Sequence, residues 1–242
     1  MITVYSMETG SRQEWQAELL EWSHKRAGVP GDIIALRHPA HHRNDLGKVT
    51  DMLAWACQDA ESTETVLFID ADFVFVKPFE ITLSEGHVVG HPISYVSPVG
   101  NELLVHKYCL NPSAVQGVGC AMAMQRKDWA KLSLKWMEKT LEMKAGNPEI
   151  GWITDMWSYI FAVAECNLRH EVRDIQAFPA ETLNGRSMIH YCYDMPEWNK
   201  HSYTLGDPLP DFANYPEAGR QLLQLLTEYN AVNNLQHCIV NR

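Results

Sequence analysis

The 242-residue sequence contains no apolar run near the ~20 residues that a membrane-spanning helix needs, so no membrane segment is expected. Its first ten residues, MITVYSMETG, have no basic stretch followed by an apolar one, so a secretory signal is not expected either. The six cysteines form no C-x-x-C pair, which favours reduced core thiols over a disulfide framework or a zinc site. These absences together predict a cytoplasmic protein.

The sequence also lacks an excess of basic residues and the short motifs of several enzyme classes. Twenty Lys and Arg against thirty Asp and Glu give a net charge of −10, which argues against a nucleic-acid partner unless a local basic cleft exists. The stretch LGKVT lacks the upstream glycine and the Ser or Thr of a P-loop, and QGVGCAM lacks the third glycine of a dinucleotide fingerprint. Neither H-E-x-x-H nor G-x-S-x-G occurs, which excludes the common zinc protease and α/β-hydrolase motifs.

What the sequence does contain is a regular alternation of strand and helix patterns in its first third. Strands are predicted over 2–6, 32–37 and 66–69, and amphipathic helices over 11–27 and 48–60. A β-α-β-α-β order predicts parallel strands joined by crossover helices, an architecture whose ligands bind at the carboxyl ends of the strands. The later part is less regular. Strands are predicted over 87–96 and 119–125, and helices over 127–143, 151–167 and 216–236.

Two acids, Asp70 and Asp72, follow the buried strand in the stretch VLFIDADFVFVKPF. Either the strand emerges into a solvated turn there, or a hard cation such as Mg²⁺ or Mn²⁺ compensates the two charges. If the acids form a metal site, they repel each other without the metal, and removing Asp72 should leave the metal-free stability level or raised. If Asp72 instead caps a turn, its removal should destabilise the protein.

Two further stretches hold candidate functional side chains. Asp155 lies in an apolar helix, either as a capping or ion-paired acid of the first turn or as a functional acid that needs a partner. His190 opens the segment 188–203, which is rich in polar and aromatic residues and poor in regular structure. A single histidine is more often structural, but the composition of this segment favours the lining of a site.

The order of strand, D-x-D, irregular second half and late histidine resembles a GT-A glycosyltransferase. The blocks LGKVTDMLAWACQDAESTETVLFIDADFVFVKPF, GWITDMWSYIFAVAECNLRHEV and IHYCYDMPEWNKHSY resemble those of the peptidyl serine α-galactosyltransferase and hydroxyproline O-arabinosyltransferase families. The resemblance covers roughly residues 1 to 203, although Asp155 stands where those families carry Glu. It implies an α/β fold with a mixed, mainly parallel central sheet flanked by helices.

The resemblance also implies a domain organisation and a location. A single catalytic domain over 1–242 is expected, with a nucleotide-sugar half over 1–80, an acceptor half over 81–205, and a tail and helix over 206–242. The resembling families are anchored proteins of the secretory pathway, and neither an anchor nor a signal is visible in this sequence. A bacterial, algal or viral origin is therefore expected.

A metal site and a donor are further implications of the resemblance. Asp70, Asp72 and His190 are expected to bind Mn²⁺ or Mg²⁺, with Asp72 the direct ligand and Asp70 nearer the ribose. The expected donor is a UDP-sugar of the galactose or arabinose class. Lys48 and Lys200 are candidates to neutralise its diphosphate.

The remaining implications concern the base, the acceptor and the stereochemistry. Tyr5 and Ser6, at the end of the first strand, are expected to approach the nucleotide base. The acceptor is expected to be a hydroxyl, on peptide serine or hydroxyproline. Asp155 is the general base if the reaction inverts, and it orients the sugar if the reaction retains configuration, as in the resembling families.

Three other function classes remain open at this point. A metal-dependent phosphodiesterase or nucleotidyltransferase also uses spaced carboxylates, but residues 73–79 supply no further acid for a second metal. A non-catalytic domain could bind a nucleotide sugar without transferring it. A glycosyltransferase acting on a modified DNA base is disfavoured by the acidic charge.

Overall fold

The structure is a computed structural model that describes residues 1–39, 45–193 and 195–240. The chain forms two compact units, and each is assembled from three segments. The first unit contains Met1–Thr9, Gly31–Asp70 and Ile81–Asp174, and the second contains Gly10–Pro30, Ala71–Glu80 and Ile175–Arg242. The single-domain organisation with boundaries at 80 and 205 stays a prediction.

The helices and strands of the described residues follow in chain order. They are β1 (Ile2–Thr9), α1 (Gln13–Arg26), β2 (Ile33–Pro39), α2 (Asp45–Ala56), β3 (Thr65–Asp70), β4 (Phe73–Phe75), β5 (His87–Pro92), α3 (Glu102–Tyr108), β6 (Val118–Gln125), α4 (Arg126–Gly146), α5 (Thr154–Glu165), β7 (Arg169–Val172), β8 (Gln176–Ala177), β9 (Met188–His190) and α6 (Glu217–Val240). None of the helices in these residues is both long and apolar enough to cross a membrane.

The first unit is built on a six-stranded sheet with the order β2-β1-β3-β6-β5-β7. The pairs β1–β2, β1–β3 and β5–β7 are parallel, and β6 runs antiparallel to both of its neighbours. The prediction of a mixed, mainly parallel sheet flanked by helices is therefore confirmed.

The strands of this sheet end at different levels. Ser6 of β1 pairs with Asp70, the last residue of β3, so these two residues lie side by side. The prediction that β1 ends at Ser6 was wrong, because Met7–Thr9 continue to pair with β2 after β3 has ended. β5 likewise ends at Pro92 and not at 96, since its register with β6 shifts after Gly90 and a short 3₁₀ helix follows at 94–96.

Helices α4 and α5 bury an aromatic layer of the first unit. The Trp136 ring lies 6.2 Å from Phe68 of β3 and 5.5 Å from Tyr159 of α5, measured between ring centroids. Helix α5 is buried from Trp157 to Ala164, as its apolar sequence predicts. It begins at Thr154 and not at 151, because Gly151 adopts a φ of +65° that interrupts the helix.

The edge strand β7 carries a histidine, His170, that did not stand out in the sequence. His170 pairs with Val88 of β5, and its ring lies 5.8 Å from Tyr159. Both ring nitrogens are buried and have no hydrogen-bond partner among the described residues. Burial lowers the pKa of His170 to about 4, so the ring is neutral at physiological pH.

The second unit combines α1 and α6 with a three-stranded sheet of order β4-β9-β8. A cluster of four buried aromatic residues fills it, with neighbouring ring centroids 5.3–6.5 Å apart. Its members are Trp15, Tyr191, Trp198 and Tyr203. The helix predicted over 11–27 is confirmed, and Gly28 with a φ of +67° follows its end, as a C-terminal glycine should.

Candidate active site

The first unit gathers Asp70, Lys48 and Asp155 at the carboxyl end of β3. Lys48 is in the first turn of α2, and its Nζ lies 2.7 Å from Asp70 Oδ1 and 3.3 Å from Asp155 Oδ2. Burial alone would lower the pKa of Lys48, but Asp70 and Asp155 outweigh it and raise this pKa well above its usual value. Lys48 is therefore a permanently charged group shared by two acids that are far apart in the sequence.

Asp155 is held rigidly by the first turn of α5. Its Oδ1 accepts a hydrogen bond from the Met156 backbone N–H at 2.9 Å, and its carbonyl accepts one from Trp136 Nε1 at 2.7 Å. The Asp155 side chain is 7% exposed. Asp155 is thus an ion-paired acid in the first turn of a helix, as its structural interpretation predicts. The functional interpretation needs in addition a place where a ligand can meet it.

A small, partly enclosed pocket with room for about one water molecule lies beside Asp155 within the first unit. Its lining residues are Lys48, Gly119, Cys120, Met122, Trp136, Asp155, Met156 and Tyr159. Lys48 and Asp155 are the charged residues of the pocket wall, and Met122, Met156 and Trp136 supply apolar surface.

Tyr159 also lines this pocket and did not stand out in the sequence as a candidate site residue. The residue is 1% exposed, and its hydroxyl has no hydrogen-bond partner among the described residues. Tyr159 follows Asp155 by four residues, a spacing that places both side chains on one face of α5. That spacing was the available signal, but Tyr159 also fits a plain core position.

The second unit holds Asp72 together with His190 and Lys200. Lys200 Nζ pairs with Asp72 Oδ2, and His190 Nε2 lies 3.3 Å from Asp72 Oδ1. Burial would raise the pKa of Asp72, but the two cations outweigh it and hold this pKa well below its usual value. Burial would lower the pKa of His190, and Asp72 instead raises it to about 10. His190 is therefore protonated in the metal-free protein.

These pairs correct the expectation of a repulsive cluster of like charges. Asp70 has Lys48 as its counter-ion in the first unit, and Asp72 has Lys200 and His190 in the second. Because of these ion pairs, we instead expect loss of Asp72 to destabilise the metal-free protein. Asp72 is a buried charge whose partners depend on it.

The small sheet of the second unit fixes His190 against Asp72. β9 runs antiparallel to β4, so His190 pairs with Phe73, and their rings stack with centroids 4.2 Å apart. The Tyr191 backbone N–H donates a 3.0 Å hydrogen bond to the Asp72 carbonyl. In the segment 188–203 predicted to line a site, His190 and Lys200 are thus placed together, while Asp194 lies outside the described residues.

Tyr5 and Ser6 differ in their surroundings. The Tyr5 side chain is fully buried in the first unit. Ser6 is beside Asp70 in the sheet, and its Oγ lies 3.3 Å from His38 Nδ1, which also lies 2.8 Å from Asp51 Oδ2. The contact of Tyr5 and Ser6 with a nucleotide base stays a prediction.

Comparison with known proteins relates the chain to sugar-transferring enzymes. Residues 41–172 match the family described as "Hydroxyproline O-arabinosyltransferase family N-terminal domain". The chain is 26% identical over 220 residues to the peptidyl serine alpha-galactosyltransferase of Arabidopsis thaliana, covering 73% of this chain and 27% of that protein. It is 29% identical over 201 residues to a hydroxyproline O-arabinosyltransferase of Medicago truncatula, covering 69% of this chain and 55% of the relative. The chain thus spans only part of each of these relatives.

A solved structure agrees with this relationship at the level of the fold. The galactosyltransferase LgtC, crystallised with donor and acceptor sugar analogues, superimposes with a TM-score of 0.54 at 11% identity. The match covers 94% of this chain and 96% of that chain. The glycosyltransferase fold implied by the sequence resemblance is confirmed.

Proposed function

The chain belongs to the hydroxyproline O-arabinosyltransferase family, and on that premise we propose that it transfers a sugar from a UDP-sugar to a hydroxyl group of a peptide. The proposed sugar is galactose or arabinose, and the proposed acceptor is serine or hydroxyproline, as in the names of the relatives. The observation that carries the proposal is the Asp70–Lys48–Asp155 cluster beside a pocket at the carboxyl end of β3. Ligands of α/β sheets bind at this edge.

The residues present fit a divalent metal ion. Only Ala71 separates Asp70 from Asp72 in the chain, and His190 lies against Asp72, so two carboxylates and one imidazole are available. Mn²⁺ accepts this combination of oxygen and nitrogen ligands, and Mg²⁺ accepts the carboxylates. When bound, the ion would neutralise the charge that develops on the departing diphosphate. His190 would have to release its proton to become a ligand, so metal binding should release protons.

The charged side chains of the site have complementary roles in this proposal. Lys48 is partly buried against Asp70 and Lys200 is buried against Asp72, and the ammonium group of each can also interact with a phosphate. Asp155 keeps its negative charge beside the pocket and can accept hydrogen bonds from sugar hydroxyls. For a reaction that retains configuration, as we propose here, Asp155 orients the sugar and does not serve as the general base.

A donor screen tests the proposal directly. The protein is incubated with Mn²⁺, serine or hydroxyproline peptides, and each of a panel of UDP- and GDP-sugars, and nucleotide release and peptide mass are measured. We expect UDP release and a mass gain of one hexose or pentose with UDP-galactose or UDP-arabinose. Release without a mass gain would place the acceptor elsewhere. Tighter calorimetric binding of GDP than of UDP would contradict the proposed donor.

A further inference from the structure

Helix α4 presents an apolar stripe on its outer face. Its inner face is buried through residues such as Trp129 and Trp136. On the outer face, Leu134 and Leu141 are each 50% exposed, and the half-buried Met137 lies between them at the spacing i, i+3, i+7. Single exposed apolar side chains are ordinary on protein surfaces, but a stripe with this spacing is typical of helix–helix contacts.

A row of four charged residues runs along α4 beside this stripe. Their spacing of i, i+4, i+7 and i+11 places them on one face of the helix, and they are Lys131, Lys135, Glu138 and Glu142. The N-terminal half of this charged row is basic and the C-terminal half is acidic. Lys135 pairs with Glu138 within the helix. Glu142 pairs in the same way with Lys139. Exposed pairs contribute little, and Lys before Glu is the weaker order along a helix, so the stability of α4 alone does not account for the separated charges.

An antiparallel second copy of α4 complements both features. A two-fold axis perpendicular to the helix turns it end for end and keeps the charged row on the same side, so the basic half of one row meets the acidic half of the other. Lys131 then faces Glu142 of the second copy. Lys135 faces Glu138 of the second copy, and both pairs have the same midpoint, beside Met137. The two apolar stripes therefore meet where the charges match, whereas a parallel pair would hold the two rows on opposite sides of the contact.

We propose that the outer face of α4 is a self-association surface, on which a second copy of this chain docks in the antiparallel orientation. The inference does not depend on the proposed function. The net charge of −10 opposes association in general, so the opposite charges along the row determine which faces meet. A contact made by one helix of each copy is at the low end of interface sizes, so the dimer is weak and forms at high protein concentration.

Sedimentation equilibrium from micromolar to millimolar protein tests the charged row. The double variant Glu138→Lys, Glu142→Lys makes the row basic throughout, and Lys131→Glu, Lys135→Glu makes it acidic throughout. Each variant alone should self-associate at least about 10-fold more weakly than the wild type, because like charges now meet. An equimolar mixture of the two variants should associate again, and so should a variant that carries all four substitutions.

A matched control for the apolar stripe is available at Leu103 of α3, which is 89% exposed. Leu134→Ser, Leu141→Ser should weaken association, whereas Leu103→Ser should leave it unchanged although it removes a more exposed leucine. All variants should melt close to the wild type, because the substituted side chains lie on the surface. The inference is overturned if the wild type stays monomeric at every concentration, if the charge variants associate as tightly as the wild type, or if their mixture stays monomeric.

Discussion

Replacement of Asp72 by Asn should strongly destabilise the metal-free protein. The side chains of Asp72, His190 and Lys200 are 12%, 6% and 10% exposed, so the variant leaves Lys200 as a buried ammonium with no counter-ion among the residues that the structure describes. Removing one partner of a buried ion pair typically costs about 3–5 kcal/mol. For a chain of this length, that corresponds to a fall in melting temperature of roughly 6–20 °C.

The size of this effect should depend on pH in a defined direction. Asp72 raises the pKa of His190 to about 10. The His190 cation therefore contributes its full stabilisation below the ordinary histidine pKa of about 6.5, and this contribution is lost as the pH rises through about 10. The lowered pKa of Asp72 gives stability that is present above an ordinary pKa of about 3.9. Without Asp72, burial disfavours the His190 cation, and the variant should lose further stability as the pH falls below about 6.5.

Urea unfolding with EDTA, at pH 8 and at pH 5.5, measures both effects. We expect a lower midpoint for Asp72→Asn at each pH, a larger difference at pH 5.5, and an unchanged m-value. Adding Lys200→Met removes the uncompensated ammonium and should recover part of the loss, which a double-mutant cycle quantifies. An unchanged or raised midpoint for Asp72→Asn would refute the reasoning and restore the repulsion expected from the sequence.

Three further predictions concern other parts of the chain. Asp155→Asn should fold and bind UDP with little change, and it should lower transfer, measured by peptide mass, by on the order of a hundredfold because the sugar loses its orientation; a general loss of folding would make Asp155 a structural residue. As the pH falls from about 6.5 to about 4, His170→Phe should gain up to about 3 kcal/mol of stability relative to the wild type in urea unfolding. In this pH range the wild type binds a proton at His170 only when it unfolds, because burial holds the His170 pKa at about 4 in the folded protein. Gly31→Ala should lower the melting temperature far more than Gly100→Ala. Both glycines have a positive φ, but only at Gly31 would a Cβ atom lie 1.9 Å from the Met1 carbonyl oxygen. Equal losses in melting temperature would show that backbone strain alone accounts for the effect.

Local sequence patterns predicted the first part of the fold well. Strand and helix periodicities located β1, α1, β2, α2 and β3, and their alternation predicted parallel pairing. The direction of β6 could not be predicted in this way. All eight of its residues are buried, so an apolar run has no alternation that would distinguish its two directions or its neighbours.

The candidate site was predicted as a set of residues but not as a set of interactions. Asp70, Asp72 and Asp155 stood out because acids beside buried apolar segments need compensation. Lys48 and Lys200 were expected to pair with a diphosphate and not with these acids, because the ion pairs Lys48–Asp155 and Lys200–Asp72 join residues 107 and 128 positions apart and leave no local signal in the sequence. The sequence therefore suggested repulsion between acids where the structure shows ion pairs.

The small sheet of the second unit has a consequence for how the protein is made. Phe73 pairs with His190, so β4 finds its partner only after residues 74–189 have been synthesised. Leu19 and Leu20 on the apolar face of α1 are fully buried in the folded unit. Until β9 is made, this face of α1 has no complete core to pack against. A nascent chain that pauses before β9 exposes this face, and such surfaces bind chaperones or aggregate. Synonymous codons that slow translation between α5 and β9 should therefore reduce the yield of soluble protein without changing a single amino acid.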